Sequence, residues 1–417
     1  MLSRKIAIVG GGPAGALVAA ELARAGREVL LFDEKLAWEK PCGGGVTDKA
    51  LARWPFLREA AVERNWISEC ELTAPSGRRA SFQLDRQIAI FSRLALNGLM
   101  LERARNAGVQ LVRERVVGIG GTPGKWQLQS QNAAYIADFL VLAAGARNSF
   151  RPQFSTALGP EDFMVAAGYY VPGTHHSVHI KFLPGLQGYI WVFPRADHFS
   201  VGICGNMSGG NTARLRQTLE ACLPEFGLSL GGARFYAHII PSYSVSALRN
   251  ARLCGEGWAM IGDAAGFVDA ITGEGIFYAL QSAELLSEAL MNDAPETYSV
   301  SVQREILPEL ERASRIADRF YTGEWLGGPV IERMIQLTGR SPRFRDLMRD
   351  LFAGSQDYGG LKRRVYRSLP RIVGEAMVGA LRRIPEPPLS PGHRGIANAP
   401  PAICHSERAS APRNLQL

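Results

Sequence analysis

The sequence is poor in cysteine and lacks any long apolar run. Its six cysteines are scattered over 417 residues without a CxxC pair, which excludes a disulfide framework and a zinc ribbon. No stretch of about 18 or more apolar residues occurs, so we expect no transmembrane helix. The short run IAIVGGG leads directly into a glycine turn and is not typical of a secretory signal. These absences predict a cytoplasmic protein, either free or peripheral at the inner face of the membrane.

Positive charge is concentrated in the C-terminal part. Residues 301–417 hold 19 Lys and Arg against 12 Asp and Glu, whereas residues 1–300 hold 28 against 27. The segment LKRRVYRSLPRIVGEAMVGALRRI (361–384) is basic and partly amphipathic, and we expect Pro370 to break its helix. It either lies on an anionic membrane surface or packs on the protein with a solvated basic face. We expect no nucleic-acid partner, because no base-stacking or groove-reading module is present.

A glycine turn near the N-terminus predicts a dinucleotide site. RKIAIV (4–9) and EVLLFD (28–33) are apolar strands that flank an Ala-rich helix, which gives one βαβ unit. Gly10, Gly12 and Gly15 form GxGxxG between the first strand and that helix. Gly10 permits the tight turn, Gly12 lets a pyrophosphate approach the backbone, and Gly15 allows close helix–strand packing.

An acidic residue follows at the expected spacing. Asp33 ends the second strand 23 residues after Gly10, close to the roughly 20 typical of a carboxylate that binds a ribose hydroxyl. Glu34 is the neighbouring alternative. An acid at this position disfavours a 2′-phosphate, so FAD or NAD is expected here rather than NADP.

A second glycine-rich junction lies far downstream. GDAAG (262–266) again leads from a strand toward a helix, and Asp263 either binds a flavin ribityl chain or caps the helix. The following ITGEGI places Gly273 and Gly275 at a helix start, where backbone N–H groups can meet a flavin ring. An NAD-only dehydrogenase needs no such second junction, so FAD is favoured.

Three ordered motifs resemble the geranylgeranyl reductase family, within the flavoproteins that are similar to para-hydroxybenzoate hydroxylase. They are PCGGGVT (41–47), GYIWVFPRADHFSVGI (188–203) and GDAAGFVDAITGEGIFYAL (262–280). The resemblance covers roughly residues 1–330 and also includes Arg93 and ADFLVLAAGARNS. It implies an enzyme that reduces isoprenoid carbon–carbon double bonds with FAD, using NADPH or another reductant as electron donor.

The resemblance also implies residue roles. Cys42 and Tyr189 are the candidate catalytic residues, with flavin-bound water as a third source of the proton. The isoprenoid cavity is lined by Tyr189, Trp191, Phe193 and Pro194 of the YxWxFP motif. The FAD-binding residues are Gly10, Gly12, Pro13, Ala14, Gly15, Asp33, Glu34, Cys42, Gly43, Gly44, Arg93, Gly145, Gly262, Asp263, Gly273, Glu274, Gly275 and Ile276.

The predicted fold is α/β, with a three-layer Rossmann-type FAD-binding domain, an antiparallel-sheet substrate domain and a helical C-terminal region. We expect the FAD-binding domain over 1–70, 86–150 and 250–300, the substrate domain over 71–85 and 151–249, the helical region over 301–384, and a disordered tail over 385–417.

Three alternatives stay open at the sequence level. The same fold serves flavin-dependent monooxygenases and halogenases, although these carry Asp-Gly where this chain has Ala144-Gly145. An FAD-bearing protein that passes electrons or binds ligands without catalysis is the second alternative. The aromatic residues of YIWVFP can also be plain core.

His175, His176 and His179 precede or enter a strand rather than share a helix, so we expect no metal site.

Overall fold

The computed structural model describes residues 5–206 and 212–381, with the side chains of the last helix as far as Gly379. The strands in chain order are β1 (Lys5–Val9), β2 (Glu28–Phe32), β3 (Gly45–Val46), β4 (Arg64–Thr73), β5 (Arg79–Phe91), β6 (Gln110–Val112), β7 (Val116–Thr122), β8 (Lys125–Ser130), β9 (Ala134–Ala137), β10 (Phe139–Leu142), β11 (Phe163–Pro172), β12 (Ser177–Lys181), β13 (Gly188–Pro194), β14 (His198–Asn206), β15 (Arg234–Pro241), β16 (Cys254–Gly255), β17 (Trp258–Met260), β18 (Glu324–Trp325) and β19 (Gly328–Pro329). The helices are α1 (Pro13–Arg24), α2 (Asp48–Arg53), α3 (Phe56–Glu59), α4 (Arg93–Asn106), α5 (Arg151–Phe154), α6 (Thr212–Cys222), α7 (Val245–Asn250), α8 (Ile276–Met291), α9 (Thr297–Glu305), α10 (Leu307–Thr322), α11 (Val330–Arg340), α12 (Pro342–Ala353) and α13 (Tyr358–Leu381).

A six-stranded sheet of order β16-β17-β10-β1-β2-β6 carries the glycine turn. β1 lies near its centre and pairs in parallel with β2 and β10. Its strands are short apolar runs buried on both faces, as parallel strands require, and α1 packs against α4 and α8 beside them. The carboxyl end of β1 is therefore held rigidly where it enters α1.

An eight-stranded sheet of order β15-β11-β14-β13-β12-β4-β5-β3 stands beside the first. Its pairings are antiparallel except that of β12 with β4. Ile190 and Val192 of β13 join a core cluster with α6, whereas Tyr189, Trp191 and Phe193 alternate to the opposite face. Helices α11 and α12 pack on β5. The aromatic face of β13 thus faces the protein interior and not solvent.

The predicted fold class is confirmed: a parallel Rossmann-like sheet, a curled antiparallel sheet and C-terminal helices. The proposed domain limits stay a prediction; β3 and part of β4, which we assigned to the first domain, pair in the eight-stranded sheet. The predicted tail over 385–417 lies outside the described residues. None of the helices within 5–206 and 212–381 is long and apolar enough to cross a membrane.

Two local expectations were wrong. Pro370 does not break its helix, since α13 continues through it. The proline ring is exposed, so the Tyr366 carbonyl, which has no N–H from residue 370 to accept, can face solvent. The helix expected to start at Gly273 begins only at Ile276, because Asp269 accepts hydrogen bonds from the backbone N–H groups of Ile271 and Thr272 in a turn. The C-terminal region is helical as predicted, and it also contains the short hairpin β18–β19.

Candidate active site

The first glycine junction is as tight as GxGxxG predicts. Gly10 has φ of 112°, and a Cβ there would lie 2.2 Å from the Ala143 carbonyl oxygen. A Cβ on Gly15 would lie 1.9 Å from the Gly10 carbonyl oxygen, so the helix packs directly on the turn. A Cβ on Gly12 would meet no atom within 4 Å. The turn therefore leaves open space at Gly12, beside the first residues of α1.

The acid after β2 has a structural task. Asp33 accepts hydrogen bonds from the backbone N–H groups of Gly11 (2.8 Å), Lys35 (2.9 Å) and Leu36 (2.7 Å). Glu34 is exposed and lines the same cavity. Asp33 thus ties the β2 loop to the glycine turn, and Glu34 is the carboxylate that projects beside it.

The two glycine junctions meet in space. A Cβ on Gly262 would lie 3.1 Å from the Ala14 side chain, so the segment after β17 touches the start of α1. Asp263 forms an ion pair with Lys40 (Nζ to Oδ2, 3.4 Å). The Lys40 ammonium also lies 3.8 Å from the position of a Cβ on Gly145. Segments that are distant in the sequence thus form one cradle.

Cys42 lies in the glycine loop beside two arginines. Burial raises the pKa of its thiol, but the charges of Arg93 and Arg195 and the Gly44 N–H outweigh burial, so the pKa is lowered. Arg93 is 4% exposed at the start of α4 and donates to Asn97 (3.3 Å). Its Nε is buried and has no hydrogen-bond partner among the described residues. The Cys42 thiol is therefore a stronger acid than an ordinary cysteine, and it lies next to an arginine whose Nε has no partner among the described residues.

Arg195 was missed by the sequence analysis, although it follows YIWVFP directly. Its side chain is fully buried, pairs with Glu39 and donates from Nη2 to the Cys42 carbonyl (2.6 Å). Ser200 Oγ donates to the same carbonyl (2.9 Å). Burial raises the pKa of Glu39, but Arg195 and backbone N–H groups lower it overall. Arg195 thus fixes the backbone of Cys42. The signal that could have found it is a charged residue directly after an apolar strand motif.

The turn before α8 adds a half-buried acid, Glu274. Gly273 has φ of 71°, and the Tyr189 hydroxyl, which donates to the Thr272 carbonyl, lies 3.1 Å from the position of a Cβ on Gly273. Glu274 accepts a hydrogen bond from Thr47 Oγ1 (3.1 Å). Burial and the charge of Asp269 raise the pKa of Glu274 to about 7.

Glu274→Gln is expected to flatten the pH dependence of stability. Between the ordinary pKa of 4.5 and the folded value of about 7, the folded chain keeps a proton that the unfolded chain has released. The free energy of unfolding of the wild type therefore falls as pH rises through this window. Because the carboxyl faces an open cavity, we expect a loss of about 2 kcal/mol rather than about 3 kcal/mol. Urea denaturation of both flavin-free proteins across the window measures it.

Glu288→Gln is the matched control, since Glu288 is an exposed carboxylate on α8. Its free energy of unfolding should fall with pH as steeply as that of the wild type. Equal slopes for Glu274→Gln and the wild type would contradict the raised pKa.

The aromatic residues of β13 face a common space. Phe193 packs on Gly43, with a ring carbon 2.6 Å from the position of a Cβ there. Trp191 Nε1 donates to Ser200 Oγ (3.4 Å), and the rings of Tyr189 and Trp191 lie 6.2 Å apart. Pro194 is buried at the end of the strand; its carbonyl accepts a hydrogen bond from Asn65 and it is not part of the cavity wall.

One cavity of about 1480 Å³ joins both junctions to this aromatic wall. A site for one drug-sized ligand has roughly 300–1,000 Å³, so this cavity has room for more than one molecule. All predicted site residues line it except Gly15 and Pro194. Beyond the aromatic wall it continues along the C-terminal helices, lined by Phe182, Phe320, Trp325, Met334, Phe344, Leu347, Met348, Leu351 and Phe352.

No cluster of three or more metal-ligating side chains occurs within the ranges that the structure describes. His175, one of the three histidines of HHSVH, is half-buried, and burial lowers its pKa to about 4.

The chain is similar to several known proteins. Residues 4–163 match the family model described as pyridine nucleotide-disulphide oxidoreductase. Over 369 residues the chain is 27% identical to a geranylgeranyl diphosphate reductase of Synechocystis sp., covering 80% of this chain and 86% of that protein. A digeranylgeranylglycerophospholipid reductase of Methanopyrus kandleri is 26% identical over 70% of this chain and 81% of its own length. A solved structure from Thermoplasma acidophilum, described as geranylgeranyl bacteriochlorophyll reductase-like, superposes with a TM-score of 0.74 at 18% identity, covering 90% of this chain and 99% of that one.

The chain is an FAD-dependent oxidoreductase that is similar to geranylgeranyl reductases. This confirms the resemblance that the three motifs carried. This similarity implies FAD as the cofactor.

The residues of this FAD-dependent oxidoreductase fit that cofactor. The space at Gly12 accepts a pyrophosphate at the start of α1. Two buried nitrogens that face the cavity, Arg93 Nε and His238 Nε2, have no partner in the described part of the chain. Burial lowers the pKa of His238 to about 3, so its ring is neutral and can hydrogen-bond to an uncharged ligand. Unpaired buried donors of this kind normally have a partner.

Proposed function

We propose that this protein is an FAD-dependent reductase that saturates carbon–carbon double bonds of an isoprenoid chain. The observation that carries the proposal is the single cavity that leads from the two glycine junctions, past Cys42 and Tyr189, into an apolar wall. An isoprenoid chain has few polar groups, and its binding energy comes from burial of apolar surface, at about 0.8 kcal/mol per CH₂. Relatives named as geranylgeranyl and digeranylgeranyl lipid reductases support the same substrate class.

FAD would be held by both junctions. Gly12 and the N-terminus of α1 face its pyrophosphate, and Asp33 or Glu34 binds the ribose. Asp263, with Lys40 beside it, is assigned to the ribityl chain. In the segment Gly273–Ile276, the N–H groups of Gly273 and Glu274 donate to the Asp269 carbonyl and to Thr272 Oγ1. The N–H groups of Gly275 and Ile276, at the start of α8, are therefore assigned to the ring.

Reduced FAD supplies a hydride, and the chain must supply a proton for the second carbon of the double bond. The pKa of Cys42 is lowered by the charges of Arg93 and Arg195, which makes its thiol a better proton donor than an ordinary cysteine. Burial raises the pKa of Tyr189 well above its usual value, so its hydroxyl stays protonated and donates to the Thr272 carbonyl. We keep both as candidate proton donors and assign NADPH or another reductant as the source of electrons.

The test is anaerobic reoxidation of the reduced protein by geranylgeranyl diphosphate. We expect the flavin to return to its oxidised spectrum and the product to gain two hydrogens by mass spectrometry. The fully saturated diphosphate is the control and should leave the flavin reduced. A flavin that stays reduced with the alkene would contradict the proposal, and hydroxylation of the lipid with oxygen consumption would favour a monooxygenase.

We further propose that α13 lies on an anionic membrane. It exposes Tyr366 (61%) and Met377 (65%), with Arg367 and Arg371 exposed on the same helix. Such a helix presents apolar side chains to lipid and arginines to anionic head groups. Its buried face includes Ile372, which packs with the C-terminal helices, so deleting α13 would damage the core.

Substitution of two arginines tests membrane binding without touching that core. Arg367→Gln/Arg371→Gln should weaken binding to anionic vesicles about thirtyfold, since each basic residue contributes about 1 kcal/mol at the surface. Vesicle co-sedimentation measures it. The control Arg105→Gln/Arg214→Gln removes the same charge from exposed positions on α4 and α6. Equal binding by the two variants would remove α13 as the contact.

A further inference from the structure

Part of the cavity wall comes from α10 and α13, close to the turn before α8, since Tyr321 Oη on α10 donates to the Ile271 carbonyl (2.8 Å). There the cavity is lined by Arg312, Arg315 and Arg319 of α10 and by Lys362 and Tyr366 of α13, all of them exposed. We call these five residues the cationic mouth. The Arg312 guanidinium lies 3.0 Å from the position of a Cβ on Gly359, so the two helices adjoin here. The cavity therefore opens to solvent between α10 and α13.

Aromatic rings connect the cationic mouth to the candidate proton donor. The rings of Tyr189 and Phe182 lie 6.3 Å apart, and those of Phe182 and Phe320 lie 5.9 Å apart. Phe320 is the neighbour of Arg319 on α10. An apolar chain that passes Phe320 and Phe182 thus reaches Tyr189 while its other end stays at the mouth.

Carboxylates neutralise part of the cationic mouth but not all of it. Arg312 pairs with Glu309, and Arg315 pairs with Glu311. Among the described residues, Arg319 and Lys362 form no ion pair; Lys362 only lies over the Tyr366 ring, at 5.9 Å. The acids that line this part of the cavity, Glu309 and Asp357, already accept the backbone N–H groups of Tyr358 and Gly360. Two cations are left for an anion.

We propose that the cationic mouth binds the phosphate or diphosphate head group of the isoprenoid substrate, with Arg319 and Lys362 as its main ligands. The inference rests on the proposed function and adds the chemistry of the head group to it. An apolar cavity with cations at its opening complements a molecule with a long hydrocarbon chain and one anionic end. Uncharged isoprenoids fill the cavity but leave the mouth unsatisfied.

The test compares geranylgeranyl diphosphate with geranylgeraniol, which has the same chain and no charge. Wild-type holoprotein should bind the diphosphate at least about tenfold more tightly, as charge-assisted hydrogen bonds predict. Arg319→Gln/Lys362→Gln should lose this preference and keep both its FAD content and its affinity for geranylgeraniol. The control Arg105→Gln/Arg214→Gln should bind as the wild type does. Isothermal titration measures the affinity of each of the three proteins for both ligands.

A second arm identifies the source of the anion. In this arm, vesicles that contain an isoprenoid glycerophosphate replace the free diphosphate. If the double variant binds these vesicles more weakly than the wild type but binds the free diphosphate equally well, the ligand is a lipid head group held in a bilayer. A wild type without head-group preference, or a double variant that keeps it in both arms, overturns the proposal. Flavin reoxidation is recorded in the same samples. Head-group preference without reoxidation would reject the proposed reaction but support anion binding at the cationic mouth. Reoxidation by both lipids without head-group preference would support the reaction but reject anion binding there.

Discussion

Gly12→Val is expected to lower the affinity for FAD at least about a hundredfold and to yield a colourless, folded protein. A Cβ on Gly12 would meet no protein atom within 4 Å, so valine fits the fold without a clash. Its methyl groups would occupy the space through which a pyrophosphate approaches the start of α1. Overpacking of a fitted site costs about 1–3 kcal/mol or more, and the upper value corresponds to the expected loss. Absorbance of the purified protein and titration with FAD measure it.

Gly120→Val is the control for this variant. Gly120 also has no atom within 4 Å of its Cβ position, and it lies on β7, outside the cavity wall. It should purify with wild-type FAD content. A Gly12→Val protein with the same content would place the pyrophosphate elsewhere and remove the main support for the cradle.

Arg195→Met should lower the free energy of unfolding by about 3–5 kcal/mol. The substitution leaves Glu39 without its partner in a buried position, and removal of one member of a buried ion pair has this cost. It also removes the hydrogen bond to the Cys42 carbonyl, so activity should fall in the fraction that still folds. Urea denaturation measures the stability.

Arg216→Met provides the comparison, because Arg216 pairs with Glu220 at the surface and such pairs contribute about 0–1 kcal/mol. The double variant Glu39→Gln/Arg195→Met should be more stable than the two single losses predict, since no charge is then left alone. If Arg195→Met is as stable as Arg216→Met, Arg195 does not hold the Cys42 loop.

Local patterns in the sequence predicted much of the fold. The βαβ unit, both glycine junctions and the alternation of β13 depend on residues that are close in sequence. Glycine positions, the spacing of apolar residues and turn-forming residues determine such elements locally. The resemblance then predicted which of these segments share one cavity.

Long-range pairings set the limit of that prediction. Glu39 and Arg195 are 156 residues apart, and neither residue alone signals a partner. The Asp269 turn delays the start of α8, and the exposed position of Pro370 lets α13 continue through a proline. Both effects depend on the folded surroundings of these residues and not on the local sequence pattern. The helical pattern of 301–384 likewise indicated helices but not that α10, α12 and α13 would line the cavity.

The contact between Gly262 and Ala14 has a consequence for biosynthesis. β1 pairs with β10, and β10 pairs with β17, so the sheet under the cradle is complete only when residues 258–260 have been made. A nascent polypeptide still attached to the ribosome at its midpoint has the glycine turn but lacks the opposite wall. Capture of the prosthetic group therefore comes late in translation, and stalled or truncated products will emerge without it.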